Sequence, residues 1–460
     1  MVAGTDRILG HVRIKAVDQR EADQAQRFES APIIDFQAIL RLLHKCEESH
    51  DHNNWDLPRY QSPTSIQLID VEYMMVIPAT TGYRYIALSY VWGEHDHFAA
   101  TTKTREPLGH KRGLDRYMGK IPQTIKDAMD VVKGLGERYL WVDTLCIEQD
   151  NTTQKDVHIR RMDVIYSHAL ITIIAHSGVA ATSPLPGLRS GTRLGLPTKR
   201  IDNIVISVEA PKLWDSGAPH ERRGWTLQEQ LMAKRCLYFD CHTTWFQCGK
   251  GMCRELDATG DGLYEYLQPP ASFDMNSLRS TLMEATVNRR FEDVWQTYAT
   301  IVERYRTREL RYIEDTILAI QGVTQVVADL LSVPLISTVP SKFIPRSMQF
   351  YFTGEGLVPG RNETAPSWSW AGWHDSIFFD DQSVAEPVTV EAVELDMKVG
   401  YKAHKLMRTP IKTSYRQQAP RLQSQQRNHP RQRRFTYFLK SSVCPPKLQP
   451  LHSRHTDRLW

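Results

Sequence analysis

The sequence predicts an α/β fold: a parallel-sheet core with helices on both faces, long loop insertions and an additional α-rich C-terminal region. Short apolar runs alternate with amphipathic helical patterns between residues 83 and 175, which is typical of parallel βαβ units. The predicted order is strand, helix, strand, helix, strand, and right-handed crossovers place the helices on both faces. Polar residues follow the strands directly, and open α/β sheets hold their ligands at such strand ends.

The first two elements have clear boundaries. Residues 83–90 form a short, mostly apolar run suited to a buried strand. Ile121 and Pro122 then open a helix whose apolar residues recur every three or four positions, with proline at a tolerated first-turn position. Gly134 and Gly136 end this helix.

The remaining elements are predicted from shorter patterns. The βαβ units are completed by three further elements: a strand at 139–147, a helix at 154–166 and a strand at 170–175. Residues 178–200 form a turn-rich loop, and loops of this length are usually functional or mobile. Further along, we expect strands at 203–209, 236–241 and 244–248, helices at 225–234, 291–305 and 313–331, and a tryptophan-dense β-like stretch at 366–373.

Composition places the chain among ordinary globular proteins, with 41% hydrophobic and 24% charged residues. The first 26 residues are polar and lack the apolar core of a secretory signal, and no apolar run is long enough to span a bilayer. Seven cysteines are too few for a disulfide framework and favour a reducing compartment. We therefore expect a cytoplasmic protein without a membrane span.

The 460 residues divide into four predicted regions: an N-terminal lead-in (1–80), an α/β core domain (81–260), a helical and tryptophan-rich C-terminal region (261–400) and a basic tail (401–460). The tail holds 14 lysines and arginines against one acid, Asp457, whereas the rest of the chain has 43 such bases and 52 acids. Its polar, aperiodic composition predicts disorder. Such a tail can bind nucleic acid or an acidic membrane surface. An unstructured extension or a gene-prediction artefact explains it more simply, so we assign it no function and do not expect nucleic acid as a partner.

Three tryptophan-bearing segments predict one site built from separate stretches of chain. The first, Tyr85–Gly93, ends a strand in polar residues; the second, Tyr139–Gln149, carries an acid within an apolar run; the third, Arg223–Glu229, opens a helix. The third segment also places a carboxylate four residues after a tryptophan. The candidate residues of this site are Ser89, Trp92, Gly93, Asp143, Arg223, Trp225 and Glu229.

Five blocks of the sequence together resemble the fungal heterokaryon-incompatibility (HET) domain family. In chain order these blocks are Tyr85–Gly93, Ile121–Ala128, Tyr139–Gln149, Arg160–Ala169 and Arg223–Glu229. The resemblance covers roughly residues 36–375 and is densest over 83–240, within the α/β core domain. It implies a cytoplasmic trigger of regulated cell death in non-self recognition by filamentous fungi. It also implies self-association and a protein partner in incompatibility signalling.

The HET core is in turn similar to TIR domains, several of which cleave NAD+, and the resemblance implies a TIR- or flavodoxin-like sheet. In TIR domains a Trp-Cys-x-x-Glu stretch carries the catalytic glutamate. Trp225 and Glu229 have the same spacing here, with Thr226 where the cysteine would stand. The resemblance therefore implies that Glu229 is catalytic and that NAD+ is a substrate, with no permanently bound cofactor. The departure at Thr226 leaves this activity open.

A lone carboxylate suits cleavage of the nicotinamide–ribose bond. Nicotinamide leaves as a neutral base, and the transition state is oxocarbenium-like, as in glycoside hydrolysis. A single glutamate can hold the ribose hydroxyls and stabilise the developing charge without a metal. Arg222 and Arg223 would pair with the pyrophosphate. Alternatively, Glu229 is an ordinary acid near a helix N-terminus, and Asp143 is a buried structural hydrogen-bonder.

Other site chemistries find less support in the sequence. The four cysteines Cys236, Cys241, Cys248 and Cys253 have gaps that would point Cys236 and Cys241 to opposite sides of a strand, so we expect no metal. No serine lies on a G-x-S-x-G elbow, which argues against a Ser-His-Asp hydrolase. Two hypotheses remain: an NAD+-consuming death effector that depends on Glu229, and a non-catalytic signalling module that recruits partners.

Overall fold

The centre of the fold is an eight-stranded mixed sheet. The computed structural model describes residues 12–16, 32–50, 52, 57–93, 97–195, 198–201, 204–208, 212–213, 217–255, 258, 267, 281–282, 284, 291–352, 360–374 and 376–379. Its strands, in chain order, are β1 (Val12–Ala16), β2 (Ser65–Asp70), β3 (Met75–Thr80), β4 (Ile86–Ser89), β5 (Tyr139–Trp141), β6 (Ile171–Ile174), β7 (Thr198–Ile201), β8 (Ile204–Val208), β9 (Arg235–Phe239), β10 (Thr244–Cys248), β11 (Gly251–Arg254), β12 (Leu335–Ile336), β13 (Val339–Pro340), β14 (Phe350–Phe352) and β15 (Ile377–Phe379).

Helices connect and cover these strands. In chain order they are α1 (Phe36–Ser49), α2 (Pro58–Gln61), α3 (Arg105–Leu108), α4 (Gln123–Gly134), α5 (Asp143–Cys146), α6 (Thr152–Ile159), α7 (Met162–His168), α8 (Pro219–Arg222), α9 (Gly224–Met232), α10 (Phe291–Arg306), α11 (Leu318–Leu330) and α12 (Ile344–Ser347). Short 3₁₀ turns cover Gly113–Tyr117, Ile313–Thr316, Ser341–Phe343 and Trp370–Gly372. Within the described ranges, no helix combines the length and apolar character needed to cross a membrane.

The large sheet has the strand order β11-β10-β9-β6-β4-β5-β2-β3. Its four central strands, β9, β6, β4 and β5, are parallel, as the βαβ pattern predicts. The outer strands are antiparallel: β2 and β3 form a hairpin beside β5, and β10 and β11 follow β9 as a meander. The α/β class is therefore confirmed, but the sheet is mixed, and a flavodoxin- or TIR-like parallel core is not confirmed. Apolar runs alone do not reveal strand direction, which is why the added hairpins were not predicted.

The predicted strand 139–147 is wrong in its second half. Strand β5 ends at Trp141, and Asp143 begins the short helix α5. Asp143 Oδ1 accepts a hydrogen bond from the backbone N–H of Thr144 at 2.7 Å. Aspartate side chains commonly bond neighbouring backbone in this way and so compete with an extended ladder. The prediction that Asp143 lies mid-strand is therefore corrected: it lies just beyond the carboxyl end of a parallel strand.

Other predicted elements are present with shifted ends. The helix predicted over 154–166 is two helices, α6 and α7, separated at Arg160 and Arg161. No residue of α6 is buried, whereas the first six residues of α7 all are. The two segments therefore face different environments, and one continuous helix would not satisfy both. The strand predicted over 203–209 is β8, which pairs with β1 and β7 in a three-stranded antiparallel sheet.

The tryptophan-dense stretch 366–373 is not a β-strand. It contains the 3₁₀ turn Trp370–Gly372, capped by the Ser369 side chain, which accepts from the Ala371 N–H at 3.2 Å. Trp370 is fully buried, and its indole N–H donates to the Tyr298 hydroxyl at 2.9 Å. Burial of one large side chain, rather than alternation along a strand, sets this conformation.

One hydrophobic core cluster includes residues from Ile34 in the N-terminal part to Phe379 in the C-terminal part. A smaller core on the other face of β9 to β11 includes Cys236, Tyr238, Trp245 and Met252. Both helices α10 and α11 contribute to the larger core. The region boundaries predicted at 80, 260 and 400 remain predictions, and the basic tail 401–460 lies outside the described residues.

A substitution at Gly322 tests how closely α11 packs against α7 and α9. A Cβ at this position would lie 2.4 Å from Asp163 Cβ and 2.9 Å from Gln228 Oε1. In an isolated helix, glycine-to-alanine exchange is stabilising by about 1 kcal/mol. Here we expect Gly322→Ala to destabilise the protein by about 1–3 kcal/mol because the helices must separate. Urea unfolding measures this. Gly119→Ala, where nothing lies within 4 Å of the added Cβ, is the control and should change stability little. Equal stability of the two variants would contradict the packing.

Candidate functional site

Polar side chains gather where the four parallel strands end. Ser89 is the last residue of β4, Asp143 follows β5, His176 follows β6 and Asp240 follows β9. Carboxyl ends of parallel strands share one edge of a sheet, where α/β proteins hold ligands. Helix α9 contributes Glu229 to the same place. This carboxyl-edge cluster is the candidate functional site.

Ser89 and Glu229 form the central contact of the carboxyl-edge cluster. The Ser89 hydroxyl makes a short hydrogen bond with Glu229 Oε2 and lies 2.7 Å from His220 Nε2. Ser89 and His220 are fully buried, and Glu229 is 6% exposed. The contact ties the first and third predicted segments together, across 140 positions of the sequence.

Burial sets the charge of Glu229. Loss of hydration raises the pKa of its carboxyl group to about 7, and the negative charge of Asp143 acts in the same direction. The Ser89 hydrogen bond, the positive charge of Arg223 and the Tyr166 hydroxyl oppose this rise. Glu229 therefore exists in both ionised and neutral forms near neutral pH, which is the behaviour of a group able to give or take a proton.

His220 couples to this equilibrium. Burial lowers its pKa to about 4, so the imidazole is neutral near pH 7 and carries one N–H. When Glu229 is ionised, Ser89 donates to it, and His220 must donate from Nε2 to Ser89. When Glu229 is protonated, it donates to Ser89, and the Ser89 hydroxyl turns to His220 Nε2. Ser89 and His220 have the separation of a nucleophile and its base, but Ser89 is fully buried and shared with Glu229.

Asp143 and Trp92 form the second contact of the site. The Trp92 indole N–H donates to Asp143 Oδ2 at 2.9 Å, which joins the first and second predicted segments. Burial raises the pKa of Asp143 despite this bond and the one from Thr144. Gly93 follows with φ +81°, and a Cβ there would lie 2.7 Å from Ala180 Cβ. Glycine at this position thus allows the chain to turn closely against the 178–182 loop.

Arg223 and Arg222 have different surroundings. Arg223 precedes α9, is half-buried, and donates from Nη1 to the Tyr90 carbonyl at 3.1 Å. Its charge acts on both Glu229 and Asp143. Arg222 is exposed and donates to the Gly217 carbonyl at 3.2 Å. The structure therefore brings Arg223, but not the Arg222 guanidinium, into contact with the first segment.

Trp225 is engaged with the C-terminal part of the chain. Its indole N–H donates to Asp315 Oδ2 at 3.1 Å. Five of the seven residues predicted for the site are linked by hydrogen bonds or charge: Ser89, Trp92, Asp143, Arg223 and Glu229. Gly93 shapes the adjoining turn. The Trp225 indole N–H instead bonds Asp315 in the C-terminal part of the chain. The roles of these seven residues in function remain predictions.

Sequence reasoning missed a second group of polar residues, of which His176 and Asp240 are buried and Glu221 and Arg308 are half-buried. Glu221 accepts from Arg308 at 3.0 Å, and its Oε1 lies 3.9 Å from His176 Nε2. Asp240 lies 3.3 Å from His176 Nδ1. Burial alone would raise the pKa of Glu221, but Arg308 and the neighbouring histidines hold it well below its usual range. His176 and Asp240 follow parallel strands, so the expectation that polar residues at strand ends form a site could also have selected them. Arg308 lies far away in the sequence, and no local pattern pointed to it.

The comparisons with known proteins agree with the segments that build the site. Residues 85–229 match the family model described as heterokaryon incompatibility protein (HET), from the first residue of the first segment to Glu229 itself. The chain is also 33% identical over 95 residues to heterokaryon incompatibility protein 6, OR allele, of Neurospora crassa. That alignment spans 18% of this chain and 13% of the relative. No solved structure matches significantly. Over residues 85–229 the chain is therefore similar to the HET family.

The raised pKa of Glu229 predicts a pH-dependent stability. Its pKa is 4.5 in the reference state and about 7 in the fold, so the unfolded chain loses this proton first. The group therefore contributes stability that is fully present below about pH 4.5 and lost as the pH rises through about 7. Glu229→Gln cannot titrate. Between about pH 4 and about pH 8 we expect wild type to lose up to about 3 kcal/mol of unfolding free energy relative to this variant.

Urea unfolding across this pH range provides the measurement. Glu309→Gln is the matched control, because Glu309 is exposed and its backbone borders the same helix. The control should follow wild type at every pH. Parallel pH curves for wild type and Glu229→Gln would show that the Glu229 pKa is not raised.

Proposed function

We propose that this chain acts in heterokaryon incompatibility as an effector that hydrolyses NAD+ at the nicotinamide–ribose bond, with Glu229 as the catalytic carboxylate. The proposal rests on the family match and on one structural observation: Glu229 lies at the carboxyl edge of the parallel strands with a strongly raised pKa. Strongly perturbed pKa values cluster at functional sites, where catalysis needs a group that titrates near the working pH. The proposed outcome is regulated cell death in the cytoplasm, switched on by self-association of the chain and by a protein partner in incompatibility signalling.

The ionised form of Glu229 is the one the chemistry needs. As nicotinamide departs with the bonding electron pair, positive charge develops on the ribose ring, and a carboxylate stabilises it. Water then adds to the ribose carbon and releases a proton. The mixed protonation of Glu229 near neutral pH means that the active fraction grows as the pH rises through its pKa. Arg223, whose charge acts on this carboxylate, would bind the pyrophosphate.

A second candidate function is supported by the burial of the site. Glu229 is 6% exposed, and Ser89 and His220 are fully buried. A carboxylate in this position can instead act as a structural hydrogen-bonding centre that joins the first and third segments through Ser89. Under this alternative the domain is a non-catalytic module that recruits partners.

An NAD+ turnover assay separates the two functions. Purified full-length chain at high concentration should consume NAD+ and release nicotinamide, and Glu229→Ala should lower the rate on the order of 10²-fold or more. Glu309→Gln should retain the wild-type rate. Loss of NAD+ by both wild type and Glu229→Ala would place the catalytic carboxylate elsewhere. No turnover by folded, self-associated wild type would favour the recruitment module.

The pH dependence of turnover provides an independent check of the role of Glu229. Because the carboxylate form is required, kcat/KM for NAD+ should rise about tenfold per pH unit below about pH 7 and level off above it. Ser89→Ala removes a hydrogen bond that lowers this pKa, so its profile should shift to higher pH. A profile that falls as pH rises through 7 would instead require a protonated Glu229 acting as an acid.

A further inference from the structure

A second cluster of chemically distinctive side chains lies outside the carboxyl-edge cluster, where α1 packs against β10. Cys46 is in the last turn of α1, His50 caps that helix, His52 follows, and Cys248 is the last residue of β10. Both cysteines are almost completely buried, and both histidines are half-buried. One sulfur or nitrogen atom from each of the four residues lies within 4.8 Å of the corresponding atom of every other.

We propose that Cys46, His50, His52 and Cys248 form a structural zinc site. Two thiolates and two imidazoles are one of the donor sets of tetrahedral structural zinc, and four protein ligands leave no open position for catalysis. Zn–N bonds of about 2.0–2.1 Å and Zn–S bonds of about 2.3 Å place tetrahedral ligand atoms about 3.3–3.8 Å apart. His50 Nδ1 and Cys248 Sγ already lie 3.5 Å apart, and the others need small movements.

The local chain is built to present these ligands together. The Cys46-x3-His50 spacing places both residues on one face of a helical turn, and the His50 N–H donates to the Cys46 carbonyl at 3.1 Å. His52 lies two residues further on, and its Nε2 is buried with no hydrogen bond to the described part of the chain. A metal ion bound within the cluster would give this nitrogen a partner.

Hydrogen-bond donors contact both sulfur atoms of the cluster. Arg235 Nε donates to Cys46 Sγ at 3.1 Å, and the Lys250 N–H donates to Cys248 Sγ at 3.5 Å. Donors of this kind stabilise sulfur ligands around metal centres and fix their orientation. Arg235 is itself 7% exposed and held by the Leu170 carbonyl at 3.2 Å. The cluster therefore has both its ligands and their supporting hydrogen bonds in place.

The zinc ion would fasten the N-terminal helix to the sheet. Cys46 and Cys248 are about 200 positions apart, one before and one after the matched HET segment. Binding would close this long loop and contribute its free energy directly to folding. The site differs from the cysteine quartet considered in the sequence: Cys236 belongs to the smaller core on the other face of the sheet, and only Cys248 of the four is a proposed ligand.

Metal analysis of the full-length protein, purified without chelator, tests the proposal. We expect about one zinc per chain by mass spectrometry and its loss in Cys46→Ser and Cys248→Ser. His52→Ala, which leaves both thiols, should bind zinc at least about tenfold more weakly. The buried Cys253→Ser and the half-buried Cys241→Ser are the matched cysteine controls and should keep the metal. A strong chelator should lower the melting temperature of wild type and leave that of Cys46→Ser unchanged.

Two further measurements keep the test decisive if a cysteine variant fails to fold. Co²⁺ added to chelated wild type should give the intense visible absorption of a tetrahedral S₂N₂ site. Alkylation of the protein followed by digestion without reductant identifies any Cys46–Cys248 disulfide. The proposal is overturned if reduced, folded wild type takes up neither zinc nor cobalt, if the ligand variants retain zinc, or if the two cysteines are recovered as a disulfide.

Discussion

The hydrogen bond between Ser89 and Glu229 is the contact around which the rest of the site is arranged. It joins the end of a central parallel strand to a helix 140 positions later, in a fully buried environment. A buried carboxylate is costly unless its oxygens are satisfied. Every nearby group therefore has a defined place: Tyr166 and His220 complete the hydrogen bonds, and Arg223 offsets the charge. The arrangement of these side chains at the carboxyl edge thus satisfies the buried oxygens of Glu229.

Helix α9 can hold Glu229 in place only because the C-terminal region packs against it. Gly224 begins the helix beside Glu309, whose carbonyl accepts the Gly224 N–H at 2.8 Å. Arg308 reaches Thr226 at 2.9 Å and Glu221 at 3.0 Å. The side chain of Gln228 accepts the Gly322 N–H at 2.9 Å. Although the family match ends at Glu229, the segment 308–322 fixes the helix that carries this residue.

Two glutamates on consecutive helices have opposite protonation behaviour for a clear physical reason. Around Glu229, burial and the nearby charge of Asp143 raise the pKa, while Ser89 and Arg223 lower it. Burial is the largest of these effects, so the pKa of Glu229 rises. Glu221 lies against Arg308 and His220, so the positive charge of Arg308 and the hydrogen bond with His220 outweigh burial and its pKa falls. Separation of pKa values between neighbouring carboxylates is a common basis for assigning acid and base roles. Here it makes Glu229, and not Glu221, the group that titrates near neutral pH.

The α/β class and the chain order of the central parallel strands could be predicted from the sequence. So could five residues that the structure links at the carboxyl edge, whose roles in function stay predictions. These predictions were possible because burial imposes a period on apolar residues and because polar residues mark strand ends. Tertiary packing sets the direction of the strands, the end of β5 at Trp141 and the 3₁₀ turn at Trp370. Each of these features depends on which neighbours a segment contacts in the folded chain. The same is true of His220, Arg308 and the Cys46–Cys248 cluster, whose members are far apart in the chain. Their chemistry arises from proximity in space, which no local pattern encodes.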